Sequence, residues 1–184
     1  MKVVILNGAP FSGKDTIADM MVEKFDYKKM SFKQPLIEFA VRTSGVTQEY
    51  WDRCYERDLK EEPNACYLID GKHVSPRNYL IHISENVIKP MLGNAFFGEK
   101  MRDNILAECD GSVVISDGGF LEEMLPLAEA FDLHLVRLHR DGTSFEGDSR
   151  SHLYPDEKLV DKQKDFYNNG SVEEIAEKIS EWVK

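Results

Sequence analysis

Gly8-Ala9-Pro10-Phe11-Ser12-Gly13-Lys14-Asp15-Thr16 lies between an apolar run, Val3-Val4-Ile5-Leu6, and a run with apolar residues at helical spacing, Thr16-Ile17-Ala18-Asp19-Met20-Met21-Val22. The first run has the composition of a buried strand and the second the period of a helix. Strand, glycine-bounded loop, lysine and helix, in that order, form the context of a phosphate-binding loop. Gly8 lets the chain turn sharply out of the strand. Gly13 lets backbone N–H groups approach phosphate oxygens, and Ala9, Pro10, Phe11 and Ser12 complete the cradle. The N–H groups and dipole of the following helix favour an anion. Lys14 supplies a point charge for β- and γ-phosphates. The residue after such a lysine is normally Ser or Thr, whose hydroxyl meets magnesium; here it is Asp15. Thr16 is turned by roughly 100° from that direction. The expectation is therefore that Asp15 holds Mg2+, directly or through water, with Asp117 on the opposite side of the ion. The competing role for Asp15 is a cap on the helix start.

The chain of 184 residues is long enough for one domain with its own core, and 42% of it is hydrophobic. A net charge of −10 argues against a nucleic-acid polymer as partner, while leaving room for a basic pocket that takes a small anion. Three cysteines without CxxC spacing suit a reducing, cytoplasmic setting. No apolar run approaches the roughly 20 residues that span a bilayer, so no membrane is expected. Met1 to Leu6 is short for a secretory signal and serves better as a strand.

Outward from the loop, the spacing predicts a helix over 14–25, a strand over 27–32 and a helix over 36–44 stopped by Gly45. Residues 46–75 give no clear pattern and are expected to be an insertion beside the substrate site, with 57–63 a solvated helix end or loop. Ser75 caps a helix with Pro76 in its first turn, closed by Pro90. A helix over 94–108 carries Phe96 and Phe97, more in keeping with core than with base stacking. Strands follow at 112–116 and 133–138, separated by a helix over 120–131. Residues 139–161 have the composition of a mobile lid. A last strand at 164–167 and a capping box at Ser171-Val172-Glu173-Glu174 introduce the terminal helix. Strands alternating with helices predict an α/β fold: a parallel five-stranded sheet in three layers, with ligands at the carboxyl ends of the strands.

Phosphoryl transfer needs an in-line arrangement and positive charge around the moving group. Candidate catalytic residues are Lys14, Asp117 at the end of an apolar strand, and Arg140 and Arg150 flanking the lid. An acceptor carrying its own phosphate needs further cations, for which Lys33, Arg77, Arg102 and Arg137 are available with Arg140 and Arg150. Arg77 sits in a first helical turn, where a cation opposes the dipole and a phosphate partner gives it a reason. Tyr50, Trp51 and Asn78 are candidates for contacting a base. The histidines form no metal-ligand pattern.

Taken together, these segments resemble the bacteriophage deoxynucleoside monophosphate kinases, a branch of the P-loop nucleotide kinases. The resemblance is carried by Ser12-Gly13-Lys14-Asp15-Thr16, by Ser75-Pro76-Arg77 leading to Ser84-Glu85 and Phe96-Phe97, and by Val113 to Asp117 with Glu122-Glu123. Val136 to Gly142, with Arg140, and Asn168 to Glu174 complete it. It implies transfer of the γ-phosphate of ATP, with Mg2+, to a small-molecule nucleoside monophosphate. It also implies a single domain over 1–184 with an acceptor-binding helical region at about 33–110, a lid at about 139–161, and host-cell cytoplasm as the setting of a phage-encoded chain. A homodimer stays open. The family often carries an arginine two residues after the strand aspartate; here that residue is Gly119, and Asp117-Gly118-Gly119-Phe120 is similar to the Asp-Gly-Phe turn of adenylate kinases. Arg77 or Lys33 then carries more of the acceptor phosphate. Two other readings share the core motifs: a phosphomevalonate kinase of the P-loop type, and a nucleotide-binding regulator without turnover.

Overall fold

The structure, a computed structural model, describes every residue except Arg57 and Ser149. The chain forms two compact units, Met1–Phe32 with Gly98–Lys184, and Lys33–Phe97. No helix among the described residues is long and apolar enough to cross a membrane.

The first unit is the α/β fold expected, a five-stranded parallel sheet with helices on both faces. Its strands are β1 (Lys2–Gly8), β2 (Tyr27–Met30), β5 (Ser112–Ile115), β6 (Asp132–His139) and β7 (Lys162–Tyr167), in the spatial order β2-β5-β1-β6-β7. Central β1 pairs in parallel with β5 (Val4 opposite Val114) and with β6 (Val4 opposite His134). Successive side chains of a strand point to opposite faces. Val4, Leu6, Val114, Val136, Leu138 and Phe166 therefore share one face. They pack with Ile17, Ala18 and Met21 of α1 (Lys14–Phe25) and with Ile175, Ala176, Ile179 and Val183 of α8 (Val172–Val183). Val3, Ile5, Val113, Ile115, Leu133 and Leu135, fully buried, occupy the opposite face. Each such side chain contributes about 1.5–3 kcal/mol by leaving water. Because every strand runs the same way, the loops after β1, β2, β5, β6 and β7 all leave from one edge of the sheet.

The second unit holds α2 (Lys33–Ser44), α3 (Gln48–Cys54), the hairpin of β3 (Asn64–Ile69) and β4 (Lys72–Val74), α4 (Pro76–His82) and α5 (Lys89–Leu92). The stretch without a clear pattern is thus a short helix and a hairpin, closed by Asp70-Gly71 with φ of 50° and 75°. Two positive φ values are what a two-residue hairpin turn requires, and Asp-Gly supplies them. The core here is aromatic: Trp51 stacks on Tyr55 at 5.7 Å and meets Tyr67 edge-on at 5.2 Å, and Tyr67 lies 5.3 Å from Tyr79.

Two expectations about helix ends need correction. Ser75 caps α4 by accepting from the Asn78 N–H, as expected, but Pro90 does not close the helix. The spiral widens into a π-helical turn, Ile83–Ile88, in which the Lys89 N–H reaches the Ser84 carbonyl, and continues through α5 to Gly93 at φ 94°. The wider turn just before Pro90 accommodates a residue that has no N–H to give. Ser171 makes no side-chain cap on α8, so the expected capping box lacks its serine half, and Glu173 pairs outward with Lys24 at 3.0 Å.

The sequence boundary between the units at Phe97 and Gly98 falls in the first turn of α6 (Phe96–Glu108), in which Phe97 is buried; α7 (Leu121–Ala128) follows β5.

Candidate active site

The loop between β1 and α1 is held open by two glycines and one amide. A Cβ on Gly8 would stand 2.7 Å from the Leu138 carbonyl oxygen and 2.7 Å from Ser12 Oγ. Gly13 caps α1 at φ 92°, where side chains are strained, and a Cβ there would meet Asn168 Nδ2 at 2.4 Å. That amide donates to the Ser12 carbonyl at 2.8 Å, and the Asn168 N–H bonds to the His139 carbonyl at 2.7 Å. Asn168, at the end of β7 and buried, thus braces the loop from a distant part of the sequence. Lys14, the first residue of α1, is buried and lays its ammonium over the loop, 2.7 Å from both the Gly8 and Ala9 carbonyls and 3.4 Å from Ser12 Oγ. Pro10 and Phe11 form the outer turn; Phe11 is 72% exposed and holds a φ of 65°, uncommon for a bulky residue.

Arg140, just beyond β6, donates to the Phe11 carbonyl at 3.3 Å. With Asp141, Asn168, Asn169, Gly170 and Val172 it lines a cavity of about 300 Å³ beside the loop.

Asp15 accepts from Ser116 Oγ at 2.6 Å, lies 3.4 Å from Lys29 Nζ, and keeps its side chain 78% exposed. Asp117 accepts from Ser31 Oγ at 2.6 Å and from the Phe32 N–H at 3.0 Å. It therefore ties the end of β2 to the end of β5. Thr16 follows in the first turn of α1. Among the described residues no three acidic, histidine or cysteine side chains gather as a metal site. Magnesium bound to a nucleotide takes most of its ligands from phosphates and water, with one or two carboxylates, and the exposed Asp15 carboxylate at the helix start fits that demand.

Arg150 is not a free cation on a lid. Its Nε and Nη2 hold both oxygens of Asp148, at 2.8 and 2.6 Å. Its stem crosses Gly119, where a Cβ would lie 2.3 Å from Arg150 Cδ. The glycine that stands where an arginine was expected thus makes room for a different arginine. Arg137 is likewise committed: it is buried, forms a bidentate pair with Asp165 at 3.0 and 2.8 Å, and covers Tyr154 at 4.5 Å. That guanidinium, together with His139 at 2.6 Å, holds the Asp165 carboxyl at a pKa of about 2. The His152 ring is pushed down, first by burial and then by the neighbouring His139. Arg102 pairs with the adjacent Asp103.

Asn7 was not among the expected site residues. Buried at the end of β1, it donates to the Gly118 and Ser151 carbonyls at 3.3 and 3.0 Å and accepts from the Leu153 N–H at 3.0 Å. One amide fastens the chain after Arg150 and the turn after Asp117 to the residue preceding Gly8. An asparagine inside an otherwise apolar strand, immediately before the loop, is the signal that marks it.

The remaining expected residues lie in the second unit. Lys33 opens α2 and is exposed. Arg77 pairs with Glu61 at 3.1 Å, and Asn78 gives its backbone N–H to Ser75. Trp51 is corrected: with no surface exposure its ring is core and has no face for a base. Tyr50 donates to Asn64 at 3.2 Å.

No protein-family model matches the sequence, and no curated protein matches it. Among solved structures it is similar to a dephospho-CoA kinase from Campylobacter jejuni (TM-score 0.49, 14% identity, covering 100% of this chain and 98% of that one). It is also similar to an unliganded sugar kinase from Janibacter sp. HTCC2649 (TM-score 0.47, 13% identity, 99% and 93%). A third likeness is to a shikimate kinase from Acinetobacter baumannii in complex with shikimate (TM-score 0.45, 11% identity, 99% and 92%).

Proposed function

We propose that the protein is an ATP-dependent phosphotransferase whose acceptor is a (deoxy)nucleoside monophosphate. The observation that carries this reading is the loop itself: Lys14 at the first position of α1, its ammonium among the loop carbonyls, with Gly13 held at φ 92° by the Asn168 brace. The cavity beside it, with Arg140 on one wall, has room for part of the donor nucleotide. In the reaction an acceptor phosphate oxygen attacks the γ-phosphorus in line with the departing ADP oxygen. Lys14 exchanges loop carbonyls for phosphate oxygens, and Arg140 adds positive charge as the transferring group spreads its own; for Arg150 to join it means exchanging the Asp148 carboxylate for a phosphate. Asp15 would hold magnesium, and Asp117 would meet its water shell. The ion, when bound, neutralises the β- and γ-phosphates. Lys33, Arg77 and Asn78 are assigned to the acceptor; for Arg77 that means exchanging the Glu61 carboxylate for a phosphate.

The test is release of ADP from ATP with each common nucleoside monophosphate, its deoxy form, and phosphomevalonate as acceptors, for wild type and Lys14→Ala. Turnover with one or more nucleoside monophosphates, lowered about 100-fold or more in a folded Lys14→Ala protein, is expected. Turnover with phosphomevalonate alone overturns the acceptor class. ATP binding with no acceptor-dependent ADP release overturns catalysis.

A further inference from the structure

The second unit places two thiols around one hydrogen-bonded pair. Cys66 Sγ donates to the Tyr50 hydroxyl at 3.5 Å, that hydroxyl donates to Asn64 Oδ1 at 3.2 Å, and Asn64 Nδ2 donates to Cys54 Sγ at 3.4 Å. Both sulfurs are free thiols. Both also act on the Tyr50 phenol, the Cys66 thiol first and the Cys54 thiol after it, pushing its pKa up. The backbone contributes to the arrangement. The β3–β4 pairing changes register between Asn64 and Leu68, and Asn64 Oδ1 also takes the Cys66 N–H at 2.9 Å. A bulge of this kind re-aims the side chain it carries. Cys66 is exposed and Cys54, the last residue of α3, is buried. One thiol can be reached from solvent and the other waits behind it, the division of labour between an entering and a resolving cysteine.

We propose that Cys54 and Cys66 form a thiol-exchange site, at which a low-molecular-weight disulfide is reduced and an intramolecular disulfide is formed. The Cys66 thiolate attacks one sulfur of the small disulfide, whose S–S bond breaks and releases one thiolate. The Cys54 thiolate then attacks Cys66 Sγ in the mixed disulfide, and the second small thiolate leaves. Two protein thiols are oxidised, one small disulfide is reduced to two thiols, and the two protons lost by the protein end on the products. Tyr50 swings aside as the sulfurs close across its hydroxyl. The new bond encloses Lys60, whose carbonyl takes the Arg77 N–H at 3.1 Å, and Glu61, which pairs with the Arg77 guanidinium.

The full chain is incubated with oxidised glutathione, quenched with acid, and mapped by peptide mass spectrometry, with Cys109 as internal control. Cys109 is buried and donates to Met30 Sδ at 3.5 Å. The expected product is a Cys54–Cys66 cross-linked peptide lighter by two hydrogens, reversed by dithiothreitol, with Cys109 unmodified. Cys54→Ser should stop at a stable glutathione adduct on Cys66, and Cys66→Ser should remain unmodified. A wild-type protein that stops at the adduct on Cys66, fails to react, or reacts at Cys109 as fast as at Cys66 overturns the proposal. The readout is a mass, so it stands or falls independently of the phosphotransfer reading.

Discussion

Replacing Gly13 with alanine tests the brace on the phosphate loop. Two costs are imposed at once. The first is backbone: a φ of 92° at residue 13 is strained for any L side chain, about 1–2 kcal/mol. The second is the clash of the new Cβ with Asn168 Nδ2 at 2.4 Å, which forces the amide away from the Ser12 carbonyl. Leaving that buried carbonyl without its donor costs about 1–3 kcal/mol. Gly13→Ala is therefore expected to lose about 2–5 kcal/mol, read as a lowered urea midpoint at unchanged slope. Asn168→Ala alone should lose only the second part. In the double variant the clash has no partner and the hydrogen bond is already gone, so its cost should barely exceed that of Gly13→Ala. The two substitutions then fall short of additivity by about 1–3 kcal/mol. Fully additive costs would show that Asn168 and Gly13 do not act on each other, and the brace would be wrong.

Two further expectations concern carboxylates. If Asp15 holds magnesium, Asp15→Ala should raise the magnesium midpoint of activity and lower turnover while Asp15→Ser keeps appreciable activity; an unchanged midpoint with lowered stability would return Asp15 to a capping role. Asp165 has a folded pKa of about 2 against an ordinary 3.8, so its pairing stabilises the fold above the unfolded value and is lost as pH falls from about 4 toward 2. Melting curves over that range should show Asp165→Asn less stable than wild type at neutral pH, with the gap closing at acid pH; a constant gap would remove the linkage.

The sheet was legible because its strands announce themselves. Val3 to Leu6 and Val113 to Ile115 are unbroken apolar runs, and Leu133 to Leu138 is apolar but for His134 and Arg137, as suits strands buried on both faces. The phosphate loop was legible because glycine and lysine spacing is dictated by backbone geometry. Residues 46–75 hid for the opposite reason. The hairpin strands show only partial burial and no clean alternation, and only Asp70-Gly71 marked the turn. Trp51 was misplaced because an aromatic in a charged segment looks like a surface platform; its burial comes from Tyr55 and Tyr67, a pairing that sequence does not display. The Asp148–Arg150 clamp over Gly119 was hidden too, since each partner alone has the look of a mobile loop.

Asn168 also bears on the order in which the molecule is made. Val3 of β1 takes its neighbours from Val113 and Leu133, and the loop that follows takes its brace from residue 168. On the ribosome the phosphate loop emerges well before the strands that flank β1 and the amide that shapes the loop. With such distant partners, closure of the first unit is a late, high-contact-order event. The nascent chain therefore carries β1 unpaired while those partners are still being made, and the loop gains its brace only once residue 168 has emerged.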